Sequence, residues 1–163
     1  MYHYLKISGL TTVIVVIGTL SQFVLADVPL LAPLGPPPIP ADNQQTEAKV
    51  ELGQILFFDP RLGGDTSTAC ATCHAPDQGW AWSEDLSRGY PGTVHWRNSQ
   101  TIINSAYYAK LFWAGSSPSL EAQAPSAAKG GVAGNGENDL MEARLRLIPE
   151  YRKRFKEVFG DEW

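Results

Sequence analysis

Cysteine is scarce in this chain of 163 residues, which contains two cysteines, three histidines and two methionines. So few thiols exclude a framework of several disulfides. A structural zinc site with four Cys or His ligands fits poorly, because it would need all four such residues downstream of residue 26, namely Cys70, Cys73, His74 and His95. Lys and Arg, 13 in all, are outnumbered by 17 Asp and Glu, and the resulting net charge of −4 argues against nucleic acid as a partner.

Strand-like alternation of apolar and polar residues is also absent over any useful length, which excludes a fold built on β-strands. The one long apolar run lies at residues 7–20, after a weakly basic start and before Val24-Leu25-Ala26. This order is typical of a signal peptide, and we expect cleavage after Ala26. An uncleaved membrane anchor is the alternative, although a full span usually takes about 20 apolar residues.

Both cysteines lie in the run Cys70-Ala-Thr-Cys-His74. A C-x-x-C-H signature is typical of covalent c-type haem, in which each thiol adds to a vinyl group and the histidine becomes the proximal iron ligand. Thiol–disulfide exchange and zinc binding are the alternatives. A thioredoxin-like motif would follow an apolar strand, whereas this one follows the polar, glycine-rich stretch Gly63–Thr68. We therefore predict one haem c on Cys70, Cys73 and His74, in a periplasmic domain.

The remaining pattern predicts a helical haem domain at residues 46–163, preceded by a proline-rich, extended lead-in at residues 27–45. Polar sequence from Ala75 to Arg97 is expected to form loops, and the glycine-rich segment Ala127–Gly136 is expected to be mobile. Helices are predicted over the following ranges: Thr46–Phe58, Thr101–Tyr108, Ser119–Ala124, Asn138–Ile148 and Pro149–Phe159.

Several separated motifs occur in an order that resembles the bacterial di-haem cytochrome c peroxidases and their methylamine-utilisation relatives. They are Ile39–Asn43, Lys49–Arg61, Cys70–His74, Arg97-Asn98, Asn104–Tyr107 and Phe112-Trp113. The resemblance covers nearly all of residues 39–160. It implies an all-α, class I cytochrome c-like domain whose long loops wrap one covalent haem. The second haem domain of the family is absent here, so we expect the chain to be truncated, with a natural one-haem protein as the alternative.

The resemblance also implies a function. Members of the family reduce hydrogen peroxide with electrons from a small periplasmic redox protein, a c-type cytochrome or a cupredoxin. Two alternatives stay open: a non-catalytic electron-transfer cytochrome c, and a relative that oxidises another substrate through a high-valent haem. No nucleic acid is expected as a partner, and a homodimer stays open.

The resemblance places further residues around the haem. Tyr90 stands where the peroxidases have a distal histidine, so Tyr90 or His95 is a candidate distal iron ligand, with an open or water-bound iron as the alternative. Gln123 matches a glutamine that orients peroxide, but Ala133 stands where a proton-moving glutamate belongs.

Two more positions match residues at the junction with the second domain of the family. Trp113 matches a tryptophan that lies between the two haems and is a candidate for carrying electrons, although a packed aromatic is equally consistent with the sequence. Asn98 matches an asparagine that helps to bind calcium, an ion that takes six or more oxygen ligands.

Overall fold

The computed structural model describes residues 31–160. The predicted signal peptide, residues 1–26, lies outside the described residues, and so does the start of the lead-in. The chain divides into two units, residues 1–35 and 36–163. In the first unit the described residues 31–35 contain no helix or strand, and in the second unit residues 36–45 contain none either.

The described part of the second unit contains five α-helices joined by long loops. They are α1 Glu47–Phe58, α2 Cys70–Cys73, α3 Leu120–Lys129, α4 Asn138–Arg146 and α5 Pro149–Phe159. Three short 3₁₀ turns lie between them, at Pro60–Leu62, Pro76–Gln78 and Ser105–Tyr107. Within residues 31–160 the only β-type pairs are isolated bridges, and no helix there is long and apolar enough to cross a bilayer.

Helix α1 begins and ends where its sequence predicts. The side chain of Thr46 accepts a hydrogen bond from the N–H of Lys49 at 3.2 Å, which satisfies one of the free donors at the start of the helix. At the other end, the N–H of Asp59 donates to the carbonyl of Leu56, and Pro60 then starts a 3₁₀ turn. Leu52 is the buried residue of this helix.

A small core forms where α1, α4 and α5 meet. Its buried members are Leu52, Leu145 and Tyr151, and the half-buried side chains packed against them are Leu56, Leu62, Ile148, Phe155 and Val158. Pro149 occupies the first turn of α5, where its missing N–H costs nothing, and Gly160 ends the helix with a positive φ of 86°. The predicted starts of α4 and α5 are therefore confirmed.

One buried carboxylate ties α1 to α5. Asp59, only 6% exposed, accepts hydrogen bonds from the Tyr151 hydroxyl and from the main-chain N–H of Arg61, the latter at 2.8 Å. The Arg61 guanidinium also lies 2.8 Å from Asp59. The carboxylate thus has both a counter-charge and hydrogen-bond donors, which a buried charge requires.

Two sequence predictions in the middle of the chain are wrong in part. The helix expected over Thr101–Tyr108 is reduced to the 3₁₀ turn Ser105–Tyr107, because Thr101 and Ile102 bond instead to Gly79 and Trp80. Helix α3 continues past Ala124 to Lys129, so the first residues of the segment predicted to be a mobile loop are helical.

Candidate haem site

The two cysteines sit on α2, a single helical turn. Thr72 stabilises the start of the turn, since its hydroxyl accepts a hydrogen bond from the N–H of Ala69 at 3.0 Å. Residues three apart on a helix lie on the same face, so Cys70 and Cys73 point to one side of the turn. Both thiols are free, with Cys70 exposed and Cys73 half-buried.

His74 follows directly and caps the turn by donating its N–H to the carbonyl of Cys70 at 3.0 Å. Its ring Nδ1 lies 3.1 Å from the carbonyl oxygen of Gln100. Because a carbonyl can only accept, Nδ1 donates to it, and in the neutral ring the lone pair then lies on Nε2. Burial lowers the pKa of His74, and hydrogen bonds with the main chain of Trp80 and Gln100 offset this only in part. A neutral imidazole oriented through Nδ1 is the form that binds a metal through Nε2.

The loops behind His74 keep the carbonyl of Gln100 in place. Trp80 donates its N–H to Ala75 at 2.8 Å, and Trp82 donates its N–H to Ser99, the neighbour of Gln100, at 3.1 Å. A main-chain acceptor of this kind leaves no sequence signature. Gln100 was therefore missed as a residue of the site, although the histidine that it orients was predicted.

The thiols do not have the character of a redox pair. Partial burial raises the pKa of the Cys73 thiol. This thiol therefore stays protonated near neutral pH, whereas redox-active C-x-x-C motifs have a lowered pKa. Among residues 31–160 there is also no group of three or more Cys, His, Asp or Glu that could hold a metal ion. The donor set of two thiols and one neutral imidazole on a single turn fits covalent haem.

The two candidates for a distal ligand differ in their surroundings. Tyr90 lies in a turn closed by hydrogen bonds between Gly89 and Thr93, and its N–H donates to the carbonyl of Ala133 at 2.9 Å. His95 stacks on the exposed ring of Trp96, with ring centroids 4.1 Å apart. Its Nδ1 accepts the N–H of Arg97 at 3.3 Å. The Nδ1 lone pair of His95 is therefore already in use, and a distal ligand at Tyr90 stays a prediction.

The other predicted site residues are spread over three segments. Gln123 lies on α3 with its side-chain oxygen buried and no hydrogen-bond donor for it within the described chain. Trp113 is 78% exposed, and the Arg97 guanidinium lies 5.3 Å from its ring centroid. Asn98 donates its amide to the carbonyls of Trp82 and Glu84, at 2.9 and 2.6 Å. The Asn98 amide therefore holds together the loop at Trp82 and Glu84, and calcium binding at Asn98 stays a prediction.

Comparison with known proteins gives consistent matches. Residues 47–163 match the family described as di-haem cytochrome c peroxidase. The chain is 66% identical over 138 residues to the cytochrome-c peroxidase IdrP1 of Denitromonas iodatirespirans, covering 85% of this chain and 37% of that protein. It is 39% identical over 127 residues to the methylamine utilization protein MauG of Methylorubrum extorquens, covering 77% of this chain and 35% of that protein. The chain thus spans little more than a third of these relatives.

A solved structure has the same fold. The crystal structure of a MauG-like protein associated with microbial copper homeostasis superimposes with a TM-score of 0.72 at 29% sequence identity. The superposition covers 82% of this chain and 39% of that one. The predicted all-α, cytochrome c-like fold is therefore confirmed.

Proposed function

The chain belongs to the di-haem cytochrome c peroxidase family, and on that premise we propose that Cys70 and Cys73 attach haem c covalently while His74 binds its iron. The observation that carries this proposal is the His74 ring, held through Nδ1 by the Gln100 carbonyl, beside two thiols on one turn. The family's cofactor is haem. The proposed role of the chain is in the reduction of hydrogen peroxide to water with electrons from a small redox protein.

Bound haem supplies an iron that exchanges single electrons. The residues of this chain do the rest. His74 would hold the haem iron, and its hydrogen bond to the Gln100 carbonyl would make the imidazole a stronger donor. On the distal side, the amide of Gln123 is the candidate group for orienting peroxide, since its buried oxygen has no donor in the described chain. Reduction of peroxide to two waters also consumes two protons and two electrons.

A second candidate function is electron transfer without catalysis. It is favoured by Ala133, which offers no carboxylate where proton transfer is expected, and whose carbonyl is taken up by the N–H of Tyr90. Glu137, the nearest carboxylate along the chain, is exposed at the start of α4. Proton transfer by a positioned side chain commonly contributes about 10²- to 10⁴-fold to a rate, so its loss slows peroxide reduction substantially.

The experiment that separates the two functions is absorption and electron paramagnetic resonance spectroscopy of the haem-loaded ferric protein. Spectra are recorded before and after one equivalent of hydrogen peroxide. A high-spin ferric spectrum that changes on addition supports the peroxidase. A low-spin spectrum that ignores peroxide supports the electron-transfer cytochrome and contradicts the peroxidase.

Location and haem attachment are tested by one measurement. The proposed location is the periplasm, reached by removal of residues 1–26. Intact-mass spectrometry of protein from the periplasmic fraction is expected to show a chain that begins at Asp27 and carries one haem. C70S with C73S is expected to lose the haem mass, whereas S83A, an exposed serine outside the motif, retains it. A wild-type mass without haem would contradict the proposed attachment.

A further inference from the structure

Arg144, a half-buried residue on α4, donates to three main-chain carbonyls of one segment. Its Nη1 lies 2.6 Å from the oxygen of Gly63 and 3.3 Å from that of Arg61. Its Nη2 lies 2.8 Å from the oxygen of Gly64. Carbonyl oxygens that converge repel one another unless donors lie between them, and the planar guanidinium provides several donors in a fixed fork. Arg144 therefore holds the conformation of the segment at Arg61–Gly64.

This segment begins the stretch that leads to Cys70. The backbone is tightly folded here, because a Cβ on Gly63 would lie 2.6 Å from the carbonyl oxygen of Thr68. A Cβ on Gly64 would lie 2.5 Å from the carbonyl oxygen of Asn135. Only glycine allows such close approach. A guanidinium that fixes these two glycines therefore also fixes where the chain turns towards the cysteines.

The same segment is linked by hydrogen bonds to the turn that carries Tyr90, the candidate distal ligand. Gly64 donates its N–H to the carbonyl of Gly134 at 2.8 Å, and the adjacent Ala133 accepts the N–H of Tyr90 at 2.9 Å. The glycine-rich segment 130–136 thus lies between the stretch before Cys70 and the turn that carries Tyr90. Its two contacts are made by neighbouring peptide groups, so a displacement at one is transmitted to the other.

We propose that Arg144 is a positioning residue for both sides of the haem site. By holding Arg61–Gly64 it sets segment 130–136, and through that segment the main chain at Tyr90. This rests on the proposed attachment of haem at Cys70, Cys73 and His74. Lysine at position 144 keeps the charge but presents a single compact ammonium group, which cannot match the forked geometry of three carbonyls.

The test compares the haem-loaded wild type with R144M, R144K and the control R146M. Arg146 is on the same helix and its guanidinium pairs with Glu142 at 2.7 Å. Two properties are measured, amide hydrogen exchange at Gly64 and Tyr90, and the high-spin to low-spin ratio of the ferric iron. R144M is expected to accelerate exchange at both amides by about tenfold and to shift the spin ratio. R144K is expected to lie between R144M and the wild type, and R146M to match the wild type.

The proposal is overturned if R144M lowers resistance to urea while exchange at both amides and the spin ratio stay at wild-type values. That result would leave Arg144 a stabilising residue only. If R144M does not fold, the same two properties are measured on R144K, and wild-type values for both would overturn the proposal. A wild type without covalent haem would contradict the proposed function instead, and exchange at Gly64 and Tyr90 would still show whether Arg144 fixes the loops.

Discussion

At the scale of single residues, Asp59 is the buried charge on which the junction of α1 and α5 depends. Burial alone would raise the pKa of this carboxyl, but hydrogen bonds from Tyr151 and Arg61, with the positive charge of Arg61, lower it overall. A carboxyl with a lowered pKa in the folded state contributes stability above its ordinary pKa of 3.8. That contribution disappears as the pH falls through the folded-state pKa.

We expect D59N to lower the free energy of unfolding by about 1–3 kcal/mol near neutral pH, because hydrogen bonds to a charged group are lost. The difference in unfolding free energy between wild type and D59N is expected to shrink as the pH falls below about 3.8, because the carboxyl of the unfolded wild type then takes up a proton more readily than the folded one. Urea unfolding at about pH 7 and about pH 3 measures both values. A gap that is the same at both pH values would show that the charge of Asp59 does not contribute.

Two conservative substitutions test whether Tyr90 or His95 is the distal ligand. We expect Y90F to change the ferric absorption spectrum of the haem-loaded protein, because the phenol is the predicted distal group. H95Q is expected to leave the spectrum unchanged, since the imidazole stacks on Trp96 and its Nδ1 is already hydrogen-bonded. A spectrum altered by H95Q and not by Y90F would reverse the assignment.

The residues of the site could be predicted from sequence only where their side chains act together within one short motif. Cys70, Cys73 and His74 follow one another in a motif, so their type and spacing indicate haem. Gln100 contributes a main-chain carbonyl that any residue could supply, and its approach to His74 depends on pairing between distant loops. Arg144 contacts residues about 80 positions earlier, and on an amphipathic helix it is indistinguishable from a solvated cation.

At the scale of elements, two glycines differ in the space around them. The glycine in α1 has room for a Cβ atom, whereas the glycine before Tyr90 has none. A Cβ on Gly53, in the interior of α1, would meet nothing within 4 Å. G53A is therefore expected to stabilise the protein by up to about 1 kcal/mol through helix propensity. A Cβ on Gly89 would overlap the main-chain carbonyl of Val132, so G89A is expected to cost about 2 kcal/mol or more by displacing segment 130–136.

G53A is the matched control for G89A, because both variants replace a glycine by alanine. Urea unfolding measures the free energy of unfolding of each variant. Exchange of the Tyr90 amide is expected to accelerate in G89A and to stay unchanged in G53A, since this amide bonds to Ala133 beside Val132. A G89A protein as stable as the wild type would mean that the two segments are not packed as described.

Helix positions could be predicted where caps and periodicity agree, as at Thr46 and Pro149. They could not be predicted at residues 101–108, where the pattern alone favours a helix. There the hydroxyl of Thr101 bonds to the carbonyl of Gly79 at 2.6 Å and the N–H of Ile102 to that of Trp80 at 3.2 Å. These long-range hydrogen bonds replace those that a helix would form within the segment. A short stretch of sequence does not show that such distant partners are available.

At the scale of the whole molecule, charge is unevenly distributed along the chain. Residues 27–137, which include the candidate haem site, contain 6 Lys and Arg against 11 Asp and Glu. Residues 138–160 contain 6 Lys and Arg against 4 Asp and Glu. The haem-bearing part is therefore acidic, and a basic donor protein is attracted to it over about one Debye length.

We expect electron transfer from a basic c-type cytochrome to the haem-loaded protein to slow as ionic strength rises from about 0.01 to about 0.15 M, because the Debye length then falls from about 30 to about 8 Å. Stopped-flow mixing at several salt concentrations measures the second-order rate constant. An acidic donor of similar potential is the matched control, and its rate is expected to rise with salt as repulsion is screened. Equal salt dependence for both donors would show that the acidic segment, residues 27–137, does not steer the encounter.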